Sequence, residues 1–351
     1  TPKRAAQIRA GEVVVGRAMP TSGGRRVWAT RGTARAPIRG PLWRRSAVVP
    51  PASGSVVMAT GIVSVALSVA GFAALSKVLM WLDVGVWLVL AAAFAGHALG
   101  DPRAWRAAAD TPPALTAVAA TTVLGTRLAL FGWTNTACAL LLLAAALWPV
   151  LLVRVTTRLR RRMPGAVFLV CVATQGLAVL TGQLALVDRG EWLAWTALSL
   201  YVLGLALYAV AFTRFDLRQV LTGAGDHWVA GGALAISAVA GSKLLASPVW
   251  TGTTHSALRL LTLVVLGCAL GWYAVLAMGE VVRPRPRYDI RRWATVFPLG
   301  MTAAACLLVS TTAHVSWLGP LGRIQLWIAT AAWTLTAAGL VRASTGWRAE
   351  T

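Results

Sequence analysis

"GAVFLVCVATQGLAVLTGQLALVDRGEWLAWTALSLYVLGLALYAVAF", Gly165–Phe212, holds two apolar runs with a link of a few residues between them. The first run is studded with Gly, Ala, Thr and Gln. The second is richer in Leu, Trp and Tyr. A helix needs roughly 20 apolar residues to cross the hydrocarbon core of a bilayer. The stretch therefore reads as a helical hairpin whose two legs meet different surroundings.

The same pairing recurs along the chain. Ten runs are long enough to cross, at approximately 52–74, 76–98, 112–131, 134–153, 164–187, 191–213, 227–248, 255–281, 293–315 and 321–342. The links after the odd-numbered runs are very short, as in Phe131-Gly132-Trp133-Thr134. Those after the even-numbered runs are longer and charged. This alternation predicts an all-α membrane protein of five helical hairpins in series.

Composition agrees with a bilayer as solvent. Of 351 residues, 57% are hydrophobic and only 13% are charged, and the mean hydropathy is +0.68. A soluble chain of this size cannot hide so much apolar surface. The net charge of +22 does not point to nucleic acid, because the charges cluster between the apolar runs. Arg103, Arg106, Arg154, Arg158, Arg160, Arg161, Arg162, Arg214, Arg218, Arg283, Arg285, Arg287, Arg291 and Arg292 all fall in links of one side, together with Arg342 and Arg348. The other side holds only Lys77, Arg189 and Arg323. The positive-inside rule then puts both termini in the cytoplasm of a multi-pass plasma-membrane protein. Residues 1–51 carry eleven Lys/Arg against one acid, Glu12. They read as a disordered basic tail on anionic lipid, with no apolar stretch resembling a signal peptide. Residues 52–342 form the membrane domain, and 343–351 a second cytoplasmic tail.

The odd spans are rich in small and polar residues, which let helices approach closely and which must face protein or water at membrane depth. They are expected to form an inner layer, with the even spans outside against lipid. A ring of five inner helices leaves room on its axis for a pore; a solid small-residue core is the competing reading. Arg127, Lys243 and Arg259 lie inside spans. Arg127 and Lys243 fall at one level, roughly 23 Å from the cytoplasmic side at 1.5 Å per residue. They read either as snorkelling to the outer interface or as a positive collar that concentrates anions. Asp83 is the one clear acid at depth.

Other chemistries find no support. No GxxxxGK[ST] loop is present, and no HExxH or GxSxG motif. His97, His227, His255 and His314 are scattered near span ends, and read as interfacial. Cys138, Cys171, Cys268 and Cys306 lie in apolar runs with no partner spacing, and read as small core residues. Neither an enzyme nor a cofactor or metal site is expected.

Four segments carry a resemblance: "VMATGIVSVAL" (Val57–Leu67), "VATQGLAVL" (Val172–Leu180), "HWVAGGALAISAVAG" (His227–Gly241) and "RRWATVFPLGM" (Arg291–Met301). In this order, on odd spans, they resemble the tellurite-resistance/C4-dicarboxylate transporter family over roughly 50–345, and its bacterial subgroup most. That family includes plant guard-cell slow anion channels and fungal malate and sulfite transporters. The resemblance implies five hairpins around a quasi-five-fold pore, lined by the odd helices, in a homotrimer with one pore per subunit. It also implies that Phe297 plugs the pore. Pro298 would bend the helix and tip that ring toward the axis; packing of Phe297 between helices is the alternative. Thr60, Gly61 and Gln175 join Arg127 and Lys243 as expected pore-lining or anion-attracting residues. Gln175 stands where the plant channels have a second aromatic ring, and could hydrogen-bond a substrate carboxylate. The expected function is ATP-independent transport of small anions, namely C4-dicarboxylates, sulfite or inorganic monovalent anions. A membrane scaffold or sensor with a vestigial pore is the alternative.

Overall fold

The structure is a computed structural model that describes residues 51–188, 190–284 and 288–349. The basic tail read from the sequence lies outside the described residues except for Pro51. Twelve α-helices occur among those described: α1 (Gly54–Val69), α2 (Ala73–Gly100), α3 (Pro102–Ala109), α4 (Thr116–Leu130), α5 (Thr134–Thr156), α6 (Leu169–Asp188), α7 (Glu191–Arg214), α8 (Gln219–Thr222), α9 (Val229–Leu245), α10 (Gly252–Val282), α11 (Trp293–Thr312) and α12 (Leu318–Ala349). Among the described residues there is no strand, only an isolated bridge between Met163 and Phe215.

Ten crossings were expected. Nine helical segments among the described residues have the length and apolar character to cross a membrane, and α1, at 16 residues, falls short. Together with the 3-10 turn that precedes it, α1 spans Pro51–Val69, the same length as the crossing segment Pro112–Leu130 that contains α4, and its far end is set by a glycine. Gly71 adopts φ +92°, a conformation that only glycine enters freely. The Phe72 amide then donates to the Leu67 carbonyl at 2.9 Å, and the Gly71 amide to Ser68 at 3.2 Å. That is a helix stop of the Schellman kind. The turn after α4 repeats it with Gly132 at φ +95° and a bond from the Trp133 amide to the Leu128 carbonyl at 2.9 Å.

The helices sort into two layers. α1, α4, α6, α9 and α11 touch one another in a closed cycle, and each touches the helix that follows it across a short link: α2, α5, α7, α10 and α12. Burial follows the layers. It is 78–100% in the crossing windows that contain α4, α6, α9 and α11, against 17–28% in α2, α5, α7, α10 and α12. In α1 every residue from Val57 to Leu67 is buried. The small residues decide which layer a helix joins. A Cβ on Gly232 of α9 would sit 2.8 Å from Cγ of Pro298 on α11, so glycine there is what lets the proline ring nest between them.

Each inner helix is entered through a 3-10 turn: Pro51–Ser53, Pro112–Leu115, Gly165–Phe168, Asp226–Trp228 and Ile290–Arg292. These turns interlock at the arginine-rich end. Gly165 lies directly against the backbone of Asp226 and His227. The Ala166 amide donates to Asp226 Oδ2 at 3.3 Å, and the Thr295 hydroxyl donates to the Gly225 carbonyl at 3.3 Å.

A second device fastens outer helices to inner ones. Trp87 of α2 donates its indole N–H to Thr121 of α4 at 3.0 Å. Trp148 of α5 donates to Thr174 of α6 at 2.9 Å, and Trp333 of α12 to Thr60 of α1 at 3.0 Å. In each case an outer helix reaches past its own partner to the next inner helix in the cycle.

Residues 343–349 are helical, as the end of α12. One reading needs correction. Cys138 and Cys268 are exposed on the outer helices, and only Cys171 and Cys306 are buried, because thiols are apolar enough for lipid. Short helices α3 and α8 lie in links that read as loops.

Topology yields a first prediction. In a background without native cysteines, Arg160→Cys should resist a membrane-impermeant thiol reagent in intact cells, and Glu191→Cys should react. Labelling at 160 but not at 191 would reverse the orientation.

Candidate functional site

The five inner helices enclose a cavity with about 20 Å³ open to the centre of a water molecule. A water requires roughly 10–15 Å³ on that measure, so the space holds about one. All five helices line it: α1 through Ile62 and Val65, α4 through Thr122, Val123, Thr126 and Leu130, α6 through Gly176 and Val179, α9 through Ile236, Val239 and Lys243, and α11 through Met301 and Leu308. The threonine hydroxyls are turned to their own helix. Thr122 donates to the Ala119 carbonyl at 2.9 Å, and Thr126 to the Thr122 carbonyl at 2.8 Å. Lys243 is the one charged group in the lining.

Lys243 sits in the last turn of α9, where the helix carbonyls favour a cation. Its side chain is buried, at 7% exposure, and it makes no ion pair among the described residues. A Cβ on Gly182 of α6 would lie 3.0 Å from Lys243 Cβ. Gly182 therefore clears the space through which the lysine stem passes.

Phe297 does not line the cavity. It lies four residues before Met301 and eleven before Leu308, spacings that put all three on one face of α11. At 1.5 Å per residue it is about 6 Å below Met301, toward the arginine-rich end. It is 1% exposed, as is Met58, one turn below Ile62 on α1. Pro298 packs against Gly232 of α9, so its ring fixes the rotation of α11. Below this point Asp289 caps the entry to α11. Its carboxylate accepts from the Arg291 amide at 2.9 Å, and the Arg291 side chain holds it below the usual carboxylate range.

The remaining expected residues face elsewhere. Arg127 Nε is shared between the hydroxyls of Ser64, at 3.0 Å, and Ser76, at 3.2 Å, with its guanidinium 5.8 Å from the Phe131 ring. It ties α4 to the α1–α2 hairpin. Gln175 donates to the Tyr201 carbonyl of α7 at 3.0 Å, against Gly204. Thr60 accepts the Trp333 indole, and Gly61 packs on Asp83 and Val123. Three of the lining residues that the sequence reading missed are the neighbours of those it chose: Ile62 beside Gly61, Gly176 beside Gln175, Thr126 beside Arg127. A helix turns 100° per residue, so a motif read at one position too few points into the wrong layer. The i, i+4 pair Thr122/Thr126 was the available signal.

Asp83 is fully buried in the α1–α2–α4 contact, and neither carboxyl oxygen has a hydrogen-bond partner. It belongs to the seam between hairpins and lies outside the cavity lining.

Comparison with known proteins gives the following. A family model described as voltage-dependent anion channel matches residues 48–341. Two curated relatives, uncharacterized membrane proteins from two strains of Mycobacterium tuberculosis, are each 31% identical to this chain over 117 residues, or 31% of it. The chain spans 59% of the length of these curated relatives.

Proposed function

The chain belongs to the voltage-dependent anion channel family, whose members are channels and not enzymes, and from that premise we propose that it carries small anions along the axis of its inner ring without ATP. The family association supports anion-channel-like transport across a helical membrane bundle. The finer reading is ours. Five hairpins stand around a quasi-five-fold pore, both termini are cytoplasmic, and the working unit is a homotrimer in the plasma membrane.

The observation that carries this reading is Lys243. It is a buried ammonium without a counter-ion among the described residues, set against a cavity that all five inner helices line. No carboxylate lines that cavity. A group so placed attracts anions and repels cations. The axial threonines spend their protons on helix carbonyls, which leaves Lys243 to set the charge preference. We assign Phe297 as the gate, with Pro298 as the residue that orients it. Arg127, Gln175, Thr60 and Gly61 are assigned to packing between helices, where their contacts are made.

The direct test is flux into proteoliposomes loaded with a panel of anions: malate or succinate, sulfite, chloride and nitrate. Lys243→Met should lower anion flux per folded molecule by about tenfold, since a charged collar raises local anion concentration by factors of roughly 10–10³. Full flux in this variant would return Lys243 to a snorkelling role.

The small size of the cavity favours a second reading, a scaffold or sensor whose pore is vestigial. Anion flux from the wild type sinks that reading. Zero flux from the wild type and from a Phe297→Ala variant that is folded sinks the transport reading.

A further inference from the structure

A larger cavity lies outside the ring. It measures about 420 Å³, against about 20 Å³ on the axis. It sits between α2 and α5, on the face of α4 opposite Thr126, with α3 closing its arginine-rich end. Trp87 and Phe94 of α2, Trp105 of α3, Ala117 of α4 and Leu147 of α5 border it. Eight of its twenty lining residues are alanine, on helices whose lipid-facing positions otherwise carry Leu, Val and Trp. On the same measure it is about twentyfold larger than the axial space, room for a run of methylene groups of one acyl chain rather than for a single water.

The rim is charged. Arg103 and Arg106 are exposed on α3. Arg154 stacks 5.9 Å above the Trp105 ring and pairs with Asp110 at 2.8 Å, and Arg158 reaches the same carboxylate at 3.5 Å. Four arginines thus face two aspartates, Asp101 and Asp110, which leaves a net positive mouth. Trp105 Nε1 is buried there without an acceptor.

We propose that this cavity binds one acyl chain of an anionic phospholipid of the adjacent leaflet, with the phosphate held by Arg103 and Arg106. A tail entering from the bilayer gains little from the hydrophobic effect, because it leaves surroundings that are already apolar. What it gains is the dispersion contact that an empty alanine-lined space lacks. Discrimination among lipids must then come from the headgroup and the basic rim.

The test is native mass spectrometry of the full chain in mild detergent, titrated with phosphatidylglycerol and, separately, phosphatidylcholine. One phosphatidylglycerol should be retained per chain at concentrations where phosphatidylcholine is not. Arg103→Gln with Arg106→Gln should weaken that retention by about 25-fold, at about fivefold per basic residue. Ala91→Phe with Ala117→Phe fills the cavity and should abolish retention while leaving the melting temperature unchanged. Equal retention of both lipids, or full retention of phosphatidylglycerol by both double variants, overturns the proposal. So does disulfide cross-linking of Ala95→Cys between two copies in a cysteine-free background, since a second copy would then cover the groove.

Discussion

Phe297→Ala should raise anion flux per folded molecule by on the order of tenfold or more, since lowering a barrier by only about 1.4 kcal/mol already gives that factor. The expectation rests on where the ring stands. It is fully buried, on the face of α11 that also carries the cavity-lining Met301 and Leu308. A ring that blocks a path and a ring that only packs give opposite results. Loss of a packing ring costs roughly 3–5 kcal/mol of stability, and lowers the yield of folded protein without opening anything. Conductance in planar bilayers, normalised to the monodisperse fraction, separates the two. Unchanged conductance with a lower yield makes Phe297 a packing residue.

Gly165→Ala should leave little folded protein. A Cβ at that position runs into the backbone of Asp226 and His227, and backbone cannot rotate away as a side chain can. Overpacking in a core costs about 1–3 kcal/mol when side chains absorb it; here two interlocked 3-10 turns must separate, so about 3 kcal/mol or more is expected. The control is Gly85→Ala on α2, where nothing lies within 4 Å of the added atom. Alanine there should be neutral or stabilising by about 0.5–1 kcal/mol, because glycine weakens a helix interior. Thermal unfolding in detergent, followed by tryptophan fluorescence, measures both. Equal melting temperatures for the two variants would mean that the belt of turns adds nothing to stability.

The layers were legible in the sequence because the bilayer enforces them. A Gly-, Ala- and Ser-rich span such as 227–248 cannot face lipid as cheaply as Leu, and the short links leave no choice of partner. The family was legible from four motifs in order. The direction of individual side chains was not. Thr60 and Gln175 are polar at membrane depth, and polarity there means a partner, but sequence alone does not say whether the partner is water on the axis or an indole and a carbonyl behind it. Arg127 poses the same difficulty. Its charge called for a counterpart, and two serines and an aromatic ring on separate helices supply it. Lys243 was readable because no acidic residue lies near it in the sequence to pair with its charge. The helix α3 was missed because eight residues with two arginines look like a link, and its amphipathic character matters only once a cavity stands above it.

The bond from Trp333 to Thr60 joins positions 273 apart in the sequence, and α1 closes the cycle against α11. This has a consequence for biogenesis. The first inner helix leaves the ribosome early, and its second neighbour in the ring arrives only with the last hairpin. Until then the growing ring is a crescent whose open side exposes glycine, serine and threonine to the acyl chains of the membrane. Partly inserted chains are therefore the natural clients of intramembrane chaperones and proteases, and quality control on this protein acts on the final hairpin. A nonsense codon late in the gene should be as damaging as one in the middle.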